Sequence, residues 1–294
     1  MTPNGIYHPS PIKRHRATKD EVETRRDRLY EIVRDGRPMT VRQVFYQATV
    51  QGFIEKTEAG YQKVQTDLTI MRRAGRLPYN WLADNTRWQR RPKTFDSVAD
   101  ALVETARLYR KSLWSSADCY AEIWLEKDAL SGVILPVTAE YDVPLMVARG
   151  YASLSFLHSA AEQIADLDIP AYIYHLGDYD PSGVNAGEKI EQTLRELAPD
   201  ADIYFERLAV TPDQIRDWNL PTRPTKMTDT RAKRHGDISV ELDAIDPNML
   251  RELVREAIER HLPADELAVL KAAEESEREH FMELAAMLAG NAEE

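Results

Sequence analysis

The chain has 294 residues, 43% of them apolar, enough for about two domains with proper cores. No stretch approaches the roughly 20 apolar residues of a membrane span. Met1-Thr2-Pro3-Asn4-Gly5 opens without the apolar run of a secretory signal, and the single cysteine, Cys119, excludes an internal disulfide and a cysteine-built zinc cluster. A reducing, cytoplasmic compartment is therefore expected. The net charge of −11 hides a segregation of signs. Residues 1–120 carry 22 Lys+Arg against 14 Asp+Glu, net +8, and residues 121–294 carry 16 against 35, net −19. A basic module joined to an acidic one suits a polyanion such as DNA, provided that divalent cations neutralise the acidic centre.

Residues 1–18 are polar and proline-containing, with the cluster Lys13-Arg14-His15-Arg16, and read as a mobile basic arm. Val22, Leu29, Ile32 and Val33 then recur at helical spacing, predicting a helix from Lys19 that Gly36-Arg37-Pro38 ends. Thr40 reads as the N-cap of a second helix over 41–48. A third is predicted over 61–74, with Val64, Leu68 and Met71 as its apolar face and Gly75 as its stop. Lys63, Arg72, Arg73 and Arg76 fall largely off that face and are the candidate DNA contacts. Residues 78–92, rich in Trp and Arg, read as a short hairpin. Three helices and a basic, aromatic hairpin outline a winged helix over 19–94, whose later helix enters the major groove. The alternative is a small helical domain whose arginines are merely solvated.

An amphipathic connecting helix is predicted at 95–113 (Phe95, Val98, Leu102, Leu108, Leu113), within a connector over 95–117. Strands then alternate with helices: strands at 119–125, 143–148, 171–176 and 203–208, helices at 128–140, 153–166 and 183–197. That alternation predicts an α/β domain over 118–260 with a parallel sheet and right-handed crossovers. Residues 220–225 read as a loop and 226–238 as a polar, mobile stretch. Helices resume at 247–260 and 264–288. Leu267, Leu270, Phe281, Leu284 and Met287 give the C-terminal segment, 261–294, a face for docking or self-association.

Two predicted strand ends carry acids. Ile173-Tyr174-His175-Leu176 runs into Gly177-Asp178-Tyr179-Asp180-Pro181-Ser182-Gly183, and Tyr120-Ala121-Glu122-Ile123-Trp124-Leu125 runs into Glu126-Lys127-Asp128. Open parallel sheets bind ligands at this edge, and carboxylates set so close repel unless a cation or proton sits between them. Glu126, Asp178 and Asp180 are therefore candidate ligands for Mg²⁺ or Mn²⁺; the plainer reading is a strand end whose acids cap helices. Lys127 and Asp128 would orient Glu126 or meet phosphate. His175 is a candidate general acid, or simply packed. Ser182 and Gly183 begin a helix and could offer N–H groups to a phosphate oxygen.

Together these motifs resemble a family. Glu126-Lys127-Asp128-Ala129 and Gly177-Asp178-Tyr179-Asp180-Pro181-Ser182-Gly183 resemble the Toprim domain of topoisomerases, primases and related nucleases. Thr40-Val41-Arg42-Gln43-Val44-Phe45-Tyr46 resembles the tyrosine motif of the topoisomerase VI A subunit and of the transesterase that makes meiotic double-strand breaks. Ser239-Val240-Glu241-Leu242-Asp243-Ala244-Ile245 looks like the family's E-x-x-A-L segment. The resemblance covers roughly residues 20–260. It implies a winged helix followed by a Toprim domain, Tyr46 as the nucleophile with Arg42 beside it, Mg²⁺ on the Toprim acids, double-stranded DNA as substrate, and a homodimer in which tyrosine and acids come from different subunits. An ATP-driven gate would need a separate GHKL-type ATPase B subunit. The family's G-Y-P segment stands here as Ala148-Arg149-Gly150-Tyr151-Ala152, without its proline. The alternatives to a transesterase are a Toprim nuclease that activates water, with Tyr46 structural, and a non-catalytic DNA-binding protein. A primase reading is weaker without a cysteine-based zinc module.

Overall fold

The computed structural model describes residues 17–83, 93–115, 117–225, 235–262 and 264–290. Nearly all of the predicted basic arm, the distal part of the predicted hairpin and most of the polar stretch 226–238 lie outside the described residues.

Three helices open the described chain: α1 (Lys19–Gly36), α2 (Val41–Val50) and α3 (Glu58–Arg73). Thr18 with Glu21, and Thr40 with Gln43, close reciprocal capping boxes that fix where α1 and α2 begin. Leu29, Val33, Val44, Ala48, Val64, Leu68 and Met71 bury the faces predicted from spacing. Asp67 of α3, 3% exposed, ties down α1 by accepting from Arg25 Nε (2.7 Å) and Arg26 Nε (3.0 Å). The described part of the expected hairpin is instead a 3₁₀ turn, Tyr79–Trp81, after which Leu82 bridges Met39. A one-residue bridge offers too little backbone pairing for a ladder.

The connecting helix, α4 (Val98–Leu108), is shorter than predicted. It stops at Tyr109, beyond which Arg110 and Lys111 turn toward Glu274 and Glu277 of the C-terminal helix. The remaining elements are β1 (Tyr120–Leu125), α5 (Ser131–Glu140), β2 (Leu145–Val147), α6 (Leu154–Ala165), β3 (Ala171–Leu176), α7 (Pro181–Leu197), β4 (Ile203–Ala209), α8 (Pro212–Asp217), β5 (Arg223–Pro224), β6 (Ile238–Ser239), α9 (Pro247–Glu259) and α10 (Ala264–Gly290). The fold is mixed α/β around a four-stranded parallel sheet, ordered β2-β1-β3-β4. The segment expected to be loop contains β5, which pairs antiparallel with β6.

The central strands β1 and β3 are largely apolar on both faces because both are covered, with Glu122 and His175 as buried polar exceptions. Ile123, Leu125, Tyr174 and Leu176 pack toward α5 and α9, and Trp124 and Ile173 toward α6 and α7. The first of these cores runs without a break into Leu29, Val44 and Leu68 of the N-terminal helices. Arg251 of α9 reinforces that junction by donating to the carbonyls of Gly36 (3.0 Å) and Pro38 (2.6 Å). The C-terminal helix α10 lies against α4, with Tyr109 and Phe281 in ring contact and Leu284 and Met287 still exposed. Among the described residues no helix is long and apolar enough to cross a membrane.

Replacing Asp67 with Ala should leave Arg25 and Arg26 side by side without their shared counter-ion. A stability loss of about 3 kcal/mol is expected in urea unfolding. A loss below about 0.5 kcal/mol would mean that water, not Asp67, compensates these arginines.

Candidate active site

The crossovers change direction between β1 and β3, the place where doubly wound sheets bind their ligands. Glu126 leaves β1 there, its N–H donated to the Leu176 carbonyl (2.9 Å). Asp178, just beyond β3, donates its own N–H to Glu126 Oε2 (3.0 Å). Two glycines make this approach possible. A Cβ on Gly177 would stand 2.6 Å from Glu126 Oε2, and one on Gly183 2.9 Å from it. Arg207 of β4 holds the loop from below: it donates to the carbonyls of Gly177 (3.0 Å), Gly183 (3.3 Å), Val210 (2.9 Å) and Asp178.

The acids differ in what surrounds them. Burial, then repulsion from Asp178, pushes the Glu126 carboxyl up to about 7. Burial also raises Asp178, even against the attraction of Lys127. Asp180 is fully engaged: Oδ1 accepts from Ser182 N (3.0 Å) and Gly183 N (2.8 Å), and Oδ2 pairs with Arg223 (3.1 Å). The two N–H groups expected to meet a phosphate oxygen therefore go to Asp180, which caps α7. Asp128 pairs with Arg149 (3.1 Å), and Gly150 N reaches the Glu126 carbonyl (3.0 Å).

A second acidic segment meets the first. Tyr179 and Val240 exchange backbone hydrogen bonds (2.8 and 2.9 Å), which brings Glu241 and Asp243 to the sheet edge. Lys127 lies among them, its Nζ 2.9 Å from Asp178 Oδ1, 2.7 Å from Asp243 Oδ2 and 3.6 Å from Glu241 Oε2. Burial opposes the ammonium charge, but Asp243, Asp178 and Glu241 together raise its pKa. For Glu241 burial is likewise overcome, by Lys127, Arg42 and Arg223, and its carboxyl falls below the ordinary range.

Helix α2 docks on this cluster. Thr40 Oγ1 donates to Asp243 Oδ1 (3.1 Å), and Arg42 Nη1 to Glu241 Oε2 (3.0 Å). Tyr46, one turn beyond Arg42, is 4% exposed. Burial, then Glu241, pushes its phenol up to about 12, against the pull of Arg42 and Lys127. An open cleft of about 670 Å³ separates the helical module from the sheet edge, lined by Arg42, Tyr61, Arg72, Lys127, Asp178 and Glu241 among others. Of the four predicted DNA contacts only Arg72 faces it, stacked 4.5 Å above Tyr79. Lys63 and Arg73 are exposed elsewhere on α3, and Arg76 is paired with Glu23 (2.9 Å) and Asp27 of α1.

Among the described residues no group of three or more His, Cys, Asp or Glu side chains is arranged to hold a metal ion. The pair Glu126 and Asp178 nonetheless fits a hard divalent cation. Burial raises both carboxyls, and Glu126 also feels the charge of Asp178, a cost that a cation would relieve; Mg²⁺ is held by one or two carboxylates plus substrate phosphates. Asp180 would have to give up Arg223 to join them. His175 is 1% exposed and held down to about 3 by burial and by Arg207, with no hydrogen-bond partner for either ring nitrogen among the described residues. Burial and Arg207 thus favour its neutral form, which fits the packed reading from sequence rather than a titrating acid. Arg207 and Arg223 were missed, since lone arginines in unpatterned positions carry no signal, and Arg149, inside the Ala148–Ala152 segment, was given no role. Glu241 and Asp243 do carry one, the same two-residue acid spacing as Asp178 and Asp180.

No family model matches the chain, and no curated protein matches it.

The pH dependence of stability follows from Glu126. Its folded value, about 7, lies above the ordinary 4.5, so the folded state binds the proton more tightly. The resulting stabilisation is present at low pH and is lost as pH rises from about 4.5 to about 7. In metal-free buffer Glu126→Gln should flatten that decline, gaining on the order of 2 kcal/mol over wild type between pH 5 and pH 8. Parallel stability curves for the two proteins would remove Glu126 as the titrating group.

Proposed function

We propose that this chain is a metal-assisted DNA strand-breaking transesterase resembling the topoisomerase VI A subunit. In this reading the N-terminal helices are its winged-helix reader, and the parallel-sheet domain is its Toprim domain. The observation that carries the reading is the docking of α2 on the acid cluster. Arg42, one turn before Tyr46, is held by Glu241 (3.0 Å), which also meets Lys127 from the β1 edge (3.6 Å). Thr40, Val41 and Arg42 of the tyrosine motif thus line one cleft with Asp178, while Tyr46 itself is buried and would meet the acids of a second subunit in the proposed homodimer.

The chemistry asked of Tyr46 is a displacement at phosphorus. Its Oη forms a bond to the phosphorus of a DNA diester while the bond to the 3′ oxygen breaks. The phenolic proton ends on that oxygen, leaving a 3′ hydroxyl and a 5′-phosphotyrosyl link whose reversal reseals the strand. A bound Mg²⁺ or Mn²⁺ would supply charge stabilisation at the phosphate or the departing oxygen, with Glu126 and Asp178 as the residues to hold it. Arg42 and Lys127 favour the phenolate, whereas burial and Glu241 oppose it. Arg72 and the basic N-terminal half would follow the duplex backbone. A homodimer on double-stranded DNA, with an ATPase B subunit where strand passage is driven, completes the proposal.

A second reading is favoured by the burial of Tyr46 and its phenol near 12: a hydrolytic nuclease in which Tyr46 only packs against Phe45. Tyr46→Phe separates the two. Labelled duplex incubated with protein and Mn²⁺, then denatured and digested, should leave label on wild-type protein and none on the variant, which still folds and binds DNA. Cleavage by Tyr46→Phe at the wild-type rate, with free phosphate ends, would establish the hydrolytic reading instead.

A further inference from the structure

We propose that Arg42, Lys127 and Arg223 form a cradle for one phosphodiester group, and that Glu241 occupies it as an internal anion until nucleic acid displaces it. This rests on the DNA-binding part of the reading above, not on its cleavage chemistry.

The three cations come from α2, the β1 edge and β5, and they converge on one carboxylate. Glu241 Oε2 meets Arg42 Nη1 (3.0 Å) and Lys127 Nζ (3.6 Å), and Oε1 meets Arg223 Nη1 (3.3 Å). Two oxygens on one centre, each with a basic partner, is the pattern that the non-bridging oxygens of a phosphodiester present. The cations are reachable from solvent, with side-chain exposures of 45% for Arg42, 23% for Lys127 and 31% for Arg223, whereas Glu241 is at 10%.

Two of the cations stay in place if Glu241 withdraws. Lys127 remains fixed by Asp178 (2.9 Å) and Asp243 (2.7 Å), and Arg223 by Asp180 (3.1 Å). The cradle is therefore preorganised, with its ligand position filled by a side chain that competes for the same charges. Arg42 differs: Glu241 is its carboxylate partner, so a phosphate arriving from the cleft takes over that pairing.

The test uses the full chain with two probes, a fluorescent duplex in a salt titration and inorganic phosphate by calorimetry. Thermal melting of each variant checks the fold. Glu241→Gln keeps the shape of the side chain and removes its charge. It should bind the duplex about fivefold more tightly, the scale of one partly exposed ion pair, and should gain affinity for phosphate. Arg223→Gln should bind the duplex more weakly and lower the salt slope by about one, as for a lost phosphate contact. Glu241→Gln that melts like wild type yet binds both probes no more tightly would overturn the cradle, as would Arg223→Gln with an unchanged salt slope. A wild type without duplex affinity at low salt would refute the DNA reading. In that case a gain in phosphate binding by Glu241→Gln supports the cradle, and no gain overturns it.

Discussion

One ammonium group holds this molecule's site together. Lys127 Nζ stands 2.7 Å from Asp243, 2.9 Å from Asp178 and 3.6 Å from Glu241, three carboxylates supplied by two segments far apart in sequence. Taking so many charges out of water is costly, and the arrangement persists only where geometry and extra hydrogen bonds offset that cost. Here they do. Asp178 Oδ1 also accepts from Leu242 N (2.8 Å), and Asp243 Oδ1 from the Thr40 hydroxyl (3.1 Å). Through Thr40 the cation also fixes the first turn of α2, and with it Arg42 and Tyr46. The helical module and the sheet thus meet through a polar junction as well as through the continuous core that joins them.

The same junction divides labour among the acids. Glu241, surrounded by cations, is held ionised, whereas Glu126 and Asp178, at the strand ends, are pushed toward the protonated form. Groups so separated are what cation binding and proton movement require at neutral pH. Rigidity comes from beneath. Arg207 donates to the backbone carbonyls of Gly177, Asp178, Gly183 and Val210, so it fixes the loop through its backbone while its charge attracts Glu126, Asp178 and Asp180.

Much of this was legible in the sequence. Apolar runs marked the four strands to within a few residues, two of them ending in acids, and a parallel sheet puts the ends of its central strands side by side; Glu126 and Asp178 follow from that. Thr40 could be read as a cap because capping is local chemistry. The β5–β6 ribbon could not, since strands of two residues have no period to detect. Nor could the end of α4, which is set by Glu274 and Glu277 more than a hundred residues away. Asp180 carried two signals at once, a metal-ligand spacing and an Asp-Pro-Ser-Gly helix start; its contacts follow the second. Lys127 looked like an accessory to Glu126 because its three partners converge only in the fold.

Lys127 stabilises the molecule by compensating buried negative charge. Urea unfolding of Lys127→Met and wild type across pH measures this most directly. A loss of about 3–5 kcal/mol is predicted near pH 8, where the carboxylates are left unpaired. The difference should shrink steadily as pH falls toward 5 and protons replace the missing cation. A difference of the same size at both ends of that range would rule out charge compensation and assign Lys127 a role in packing alone.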